Sequence, residues 1–478
     1  MNCRVLLCLL AALALVASGR TSVRLSRKEL QTQTWALIAS GAAGWYDYRM
    51  QADVCHAYHL FHEYFGIPDE RIIVMMVDDL AYNEQNPYPG VIINDINGSD
   101  VYHGVPHDYT GSLVTPENFQ KLMIGDSVPG GSNKTLKSTP DDNVFIYFCD
   151  HGLPDMLCFP YSNMKKNMVQ DALNQMVERN MFKNLIFYLD TCYSGSIFYD
   201  AQLTDNMFVV TACGVPEVTY SCHYDDGIKT YPCDLFSHAW ITDMEKNNKP
   251  GHTFYQEYEF IQDNIEFAHS CAYGNSAVYF NSTINSFFQL PDFNGQKYTY
   301  GVSPAKQNDD KGPVSQFDVP LALARHHYKE NPTESNRKNL EKELTIKKLI
   351  DTMHTHIVQA AKPGLSAAAL SPCTTCDLSC PCYQYCLKQN SPSACEKECC
   401  SVGIYKCQND PPSPDYGKCL DTLVEEYYNA CGYKHNYLGK IGGIFINLCK
   451  RSGVNINAAV KEIQNQCSMY KTFMKENF

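Results

Sequence analysis

His151 and Cys192 are the two side chains of this sequence whose types and settings could do covalent chemistry together. A thiol becomes a useful nucleophile when an imidazole takes its proton, and the same imidazole can then protonate a leaving amine. Each residue ends a hydrophobic run. NVFIYFC (Asn143–Cys149) leads into Asp150-His151-Gly152, and NLIFYLD (Asn184–Asp190) leads into Thr191-Cys192. A lone cysteine is more often half of a disulfide, and a lone histidine an ordinary strand-end residue. What favours catalysis is that both arrive at strand ends, each with a glycine (Gly152, Gly195) within three residues, where backbone can approach a substrate. The amides of Gly152 and Cys192 are the natural oxyanion donors.

Short runs rich in Val, Ile, Phe and Tyr and closed by Gly or Ser read as strands buried on both faces. Five occur in order: TWALIASG, ERIIVMMV, NVFIYFCD, NLIFYLD and MFVVTACG. Between the third and fourth, Lys165–Lys183 has apolar residues at helical spacing, so this unit predicts strand, helix and parallel strand. Tyr48–Gly66 predicts another helix, and Tyr82–Thr139, dense in Asn, Gly, Pro and Asp, predicts a loop-rich stretch. The alternation argues for an α/β protein with a doubly wound, mostly parallel sheet. The carboxyl edge of such a sheet is where ligands bind, and it is the edge that receives His151 and Cys192.

The 478 residues allow two domains. Residues 1–19, with one Arg, a Leu/Ala run and Ala17-Ser18-Gly19, predict a cleaved secretory signal, too short for a membrane span. No later run approaches ~18 uninterrupted apolar residues, so no integral membrane segment is expected. Secretion accounts for the 23 cysteines and gives meaning to the sequons at Asn97, Asn133 and Asn281. The net charge of -13 argues against nucleic acid as a partner. Residues 30–290 form the expected catalytic domain and 291–314 a linker. The stretch 315–348 is basic, net +3 over Leu321–Lys348, and 349–478 reads as helical with an insert at 373–407 holding nine cysteines. A basic segment within an acidic chain suggests an electrostatic latch over the catalytic face, loosened by acid. No metal or cofactor framework stands out: Cys373 and Cys376 lack a histidine partner set, and secretion favours disulfides.

The strings GWYDYRMQADVCHAY, GVPHDYTG, VFIYFCDHG and YLDTCYSGS, in that order and followed by a long carboxyl-terminal region, resemble the legumain (asparaginyl endopeptidase) family of caspase-fold cysteine proteases. The resemblance covers nearly the whole chain. It implies a caspase-like six-stranded sheet flanked by helices, and an all-α, disulfide-containing prodomain that acts as the enzyme's own inhibitor. It also implies cleavage of proteins and peptides after Asn, or after Asp at lower pH, without a cofactor. Processing in acid and residence in the secretory pathway, a lysosome or vacuole, or outside the cell, follow from the same resemblance. Carried over by position, Cys192 is the nucleophile and His151 the base. Arg49, Asp190 and Asp234 form the specificity pocket, with Thr219 on its wall. One cation with carboxylates complements both ends of an Asn side chain.

Asp47 stands where the family usually has the Asn that orients the histidine, and Tyr193 where an acidic residue is common. Met50 replaces a frequent histidine, and Asp150 matches the family's aspartate before the histidine. The resemblance also implies pairing of Cys419 with Cys449 and Cys431 with Cys467, where spacing alone allows three connectivities. Autocleavage is expected after Asn336 or Asn339, because Pro332 follows Asn331. Two other readings compete. One is the catalytic subunit of GPI transamidase, which would carry a carboxyl-terminal membrane helix. The other is a catalytically silent, cysteine-rich binding protein.

Overall fold

The computed structural model describes residues 33–247, 249–265, 267–275, 279–289, 311–365, 367, 414–432 and 435–477. The expected signal, most of the 291–314 linker and the nine-cysteine insert lie outside the described residues. Nine strands occur: β1 (Thr34–Ser40), β2 (Ile72–Met75), β3 (Asn143–Cys149), β4 (Gly152–Leu153), β5 (Met156–Cys158), β6 (Asn163–Lys165), β7 (Asn184–Asp190), β8 (Met207–Thr211) and β9 (Cys271–Gly274). The main sheet has the order β2-β1-β3-β7-β8-β9. All neighbours are parallel except β8 and β9. The six-stranded, mostly parallel sheet implied by the resemblance is therefore present, and all five strands read from the sequence are in it.

Continuous apolar runs are explained by burial on two sides. Successive side chains alternate across a strand. Ile38, Val74, Tyr147, Tyr188 and Val210 accordingly pack into one layer, with Phe61, Trp240 and Tyr258 from the helical segments there. Leu37, Ile73, Phe148, Phe187 and Val209 pack into the opposite layer, against Phe119 of the Pro116–Met123 helix and Met176 of the Lys166–Glu178 helix. The predicted Tyr48–Gly66 helix is α-helical over Tyr48–His59 and ends in a π-helical turn at Leu60–Tyr64.

The carboxyl-terminal part is helical: Val319–Glu330, Glu334–Ala361, Pro414–Cys431, Ile441–Cys449 and Ile456–Asn477. The disulfides Cys419–Cys449 and Cys431–Cys467 are formed, in the pairing the resemblance implied. Ile346, Ile350, Met353 and Ile357 lie on one face of the Glu334–Ala361 helix and bury against Leu423, Phe445 and Ile463. That apolar cluster continues into Tyr193, Val218 and Tyr220 of the sheet's carboxyl edge, so the helices close over that edge. The helix runs unbroken through residue 348, where the sequence suggested a division. Among the described residues no helix is long and apolar enough to cross a membrane.

Candidate active site

Register delivers the two reactive residues to one place. Cys149 of β3 pairs with Asp190 of β7, and the Asp150 amide donates to the Asp190 carbonyl at 3.1 Å. Two residues further along these parallel neighbours lie His151 and Cys192. Gly152 then meets the turn after β7: a Cβ there would overlap the Cys192 carbonyl oxygen and come within 2.9 Å of Thr191 Oγ1, so only glycine fits. Tyr193 takes a left-handed φ of 57°, which turns the chain sharply at the nucleophile.

Cys192 is a free thiol and fully buried. The Thr219 amide donates to Sγ at 3.4 Å, Thr219 Oγ1 lies 3.6 Å away, and Sγ donates to Gln316 Oε1 at 3.5 Å. Burial pushes the thiol up to about 12, against the hydrogen bonds from Thr219. Thr219 thus borders the sulfur itself rather than the floor of a specificity pocket.

His151 Nε2 lies 2.8 Å from Asp47 Oδ1. A carboxylate only accepts, so Nε2 carries the proton and Nδ1 is the nitrogen left to act as base. Asp47 occupies the N-cap of the Tyr48–His59 helix but makes no capping bond. Its Oδ1 instead serves His151, receives Asn436 Nδ2 at 2.9 Å and lies 3.6 Å from Arg49 Nη1. Burial works to raise the Asp47 carboxyl, yet His151, Arg49 and Asn436 together hold it below its ordinary value.

Arg49, Asp190 and Asp234 converge behind this pair. Arg49 Nε donates to Asp234 Oδ1 at 2.7 Å and Nη1 to the Tyr46 carbonyl at 3.0 Å, while Nη2 is buried without a hydrogen-bond partner. Asp190 Oδ2 receives the Ser237 hydroxyl and amide at 2.6 and 3.2 Å, while Oδ1 is likewise unpartnered. Burial opposes the Arg49 charge, but Asp234 and Asp47 keep the guanidinium firmly protonated. Burial, then Asp234, lifts Asp190 to about 8.

Sequence reasoning missed two members of this cluster. Asp53, one turn after Arg49, receives Asn94 Nδ2 at 2.8 Å and the Asp234 amide at 3.1 Å. Cys149 points its thiol at Asp234 Oδ2, 3.5 Å away. The i, i+4 spacing of Arg49 and Asp53 was the available signal. Ligand atoms of Asp53, Cys149, Asp190 and Asp234 lie within 4.8 Å of one another, but Arg49 already supplies the compensating cation.

The edge is covered by the chain's own residues 314–317, which sequence reading did not single out for the site. Ser221 N donates to the Val314 carbonyl at 2.9 Å and Gln316 N to the Thr219 carbonyl at 3.1 Å, with Tyr220 and Ser315 forming an antiparallel bridge. The expected electrostatic latch needs correction. Arg337, Lys338 and Lys347 pair with Glu334, Glu341 and Asp351 on their own helix. Contact with the catalytic edge is instead mainly apolar and hydrogen-bonded. Tyr193 OH donates to the Gly439 carbonyl at 3.2 Å and accepts the Gly443 amide at 2.9 Å.

Residues 34–289 match the model of the peptidase C13 family. The chain belongs to that family. Its peptidase C13 relatives include human legumain, 40% identical over 285 residues, which are 59% of this chain and 64% of that protein. The delta-isozyme of the vacuolar-processing enzyme of Arabidopsis thaliana is 30% identical over 464 residues, 94% of this chain and 93% of that protein. Caspase-1 from Spodoptera frugiperda superposes with a TM-score of 0.31 at 8% identity, over 51% of this chain and 87% of that one, a likeness too loose to carry the fold.

Proposed function

We propose that this C13 member is a cysteine endopeptidase that cleaves proteins and peptides after Asn, and after Asp in acid. His151 Nδ1 takes the Cys192 proton, and the thiolate attacks the scissile carbonyl. The amides of Gly152 and Cys192 hold the oxyanion, and His151 returns the proton to the leaving amine; water then releases the acyl group. Asp47 orients the ring and favours its protonated form, which removes one ground for the catalytically silent reading.

The observation that carries the specificity is the pair of unpartnered buried groups, Arg49 Nη2 and Asp190 Oδ1. An Asn side chain brings one acceptor for the guanidinium and one NH2 for the carboxylate. Gln and Leu leave one or both orphaned, at a cost of about 1–3 kcal/mol for each orphan. An Asp side chain fits once protonated, since it then offers an acceptor and an O–H donor.

Residues 315–348 and the helices beyond would serve as activation peptide and inhibitory prodomain. Gln316 on Cys192 and Asn436 on Asp47 support this role. The relatives' names and the expected signal fit secretory synthesis and action in a lysosome or vacuole. The test is turnover of an Ala-Ala-Asn peptide by acid-processed protein. Loss in Cys192→Ala, with Ala-Ala-Gln cut at least about tenfold more slowly, supports the reading. Equal cleavage after Asn and Gln overturns the pocket.

A further inference from the structure

We propose that a slot between the His151 and Tyr193 rings selects a large planar side chain on the leaving-group side of the scissile bond. The proposal rests on the endopeptidase reading. Residues 314–316 lie as an added antiparallel strand beside Thr219–Ser221, which is how an extended peptide is commonly held. Gln316 is the residue at the sulfur, with Sγ donating to its Oε1 at 3.5 Å. The next residue toward the carboxyl terminus, Phe317, therefore stands where a substrate's first leaving-group residue would stand.

Its ring is fully buried and stacks on His151 at 6.2 Å between centroids and 20° between planes. It stacks on Tyr193 at 6.3 Å and 28°. The position is chemically consistent, because the imidazole must reach the amine of that same residue to protonate it. A third side is closed by Gly439, where a Cβ would come within 2.7 Å of Phe317 Cζ. Departure of the helical region would open that side and leave two rings. Tyr193 is fixed beside the nucleophile by its own backbone, its amide donating to the Glu217 carbonyl at 2.8 Å. An acidic residue at 193 would offer no ring, so this preference belongs to the present chain.

Offset aromatic pairs at these separations favour binding roughly two- to tenfold each beyond the area they bury. The acid-processed enzyme is tested on internally quenched Ala-Ala-Asn-Xaa-Ala-Ala peptides with Phe or Leu at Xaa, which match in hydrophobicity and differ in planarity. The expected kcat/KM ratio of Phe to Leu is about fivefold, falling to near one in Tyr193→Leu. Because the ratio is read within each enzyme, a general loss of activity in the variant does not affect it. A flat ratio in the unaltered enzyme, or a fivefold ratio kept in Tyr193→Leu, overturns the slot while leaving the endopeptidase reading in place. Failure to cut either peptide, when Cys192 reacts with iodoacetamide, overturns both.

Discussion

Gly439→Ala should expose the nucleophile without touching the catalytic domain. Gly439 lies in the turn at Asn436–Lys440, and its missing Cβ is what lets the Phe317 ring sit there. A methyl group 2.7 Å from Phe317 Cζ is well inside van der Waals contact, and such overpacking costs about 1–3 kcal/mol. The penalty falls on the covered state alone. At about 2 kcal/mol it raises the uncovered population roughly 30-fold. Burial holds the Cys192 thiol at about 12, against 9.0 for an ordinary thiol. Uncovering therefore raises the thiolate fraction at neutral pH by about a thousandfold, which caps the effect. The assay is the rate of iodoacetamide addition to Cys192 in the full-length chain at pH 7, followed by peptide mass. Buried Cys55, Cys149, Cys158 and Cys213 are internal references for general unfolding. The expected result is a rise of about 30-fold at Cys192 and little change at the others. An unchanged Cys192 rate, or an equal rise at all five thiols, refutes the reasoning.

Arg49→Lys should lower kcat/KM on Ala-Ala-Asn peptides by at least about 100-fold, because an ammonium cannot hold Asp234 and the substrate amide at once; steady-state kinetics after acid processing measures it. Burial, then the field of Asp421, raises Asp155 to about 6 from 3.8 despite Lys166, so the folded state binds this proton more readily than the unfolded chain. Ionisation of Asp155 thus costs stability above pH 6, and the cost disappears as pH falls below about 4. Asp155→Asn should raise stability at pH 7 by up to about 3 kcal/mol and change it little at pH 4, read by denaturant midpoints at both values. Acid treatment should cut after Asn336 or Asn339, although Asn336 sits in the first turn capped by Thr333 and must fray first. Peptide mapping that returns Arg325–Leu344 intact removes this expectation.

The sheet was legible because burial on both faces leaves a simple mark, an unbroken apolar run ended by a polar residue. β9 was not: Cys271–Gly274 is short and half-buried, and no alternation or run distinguishes it from a loop. Strand order was also hidden, since β2 reaches the far side of β1 through a connection that periodicity does not encode. Within the site, Cys192, His151, Asp47, Arg49, Asp190 and Asp234 were placed by motif and do converge. Gln316 and Phe317 were not legible as site residues, because their role depends on a fold-back that only tertiary contacts reveal. The basic stretch misled for a related reason. Charges at i, i+3 and i+4 satisfy one another along a helix before they find a partner across an interface. The Cys222–Cys233 bridge, eleven residues apart beside the Thr219–Ser221 groove wall, gave no spacing signal of its own.

The two bridges among the last helices, Cys419–Cys449 and Cys431–Cys467, have a consequence for what a cut can accomplish. Severing the backbone near Asn336 leaves a stapled body whose surface still complements the sheet edge. Before the cut, the tether keeps that body near its seat at an effective concentration of order millimolar. Afterwards it is a separate molecule, and occupancy of the seat follows ordinary mass action. Nicked protein should stay silent when concentrated and awaken on dilution, so hydrolysis of the tether and liberation of the enzyme are distinct events.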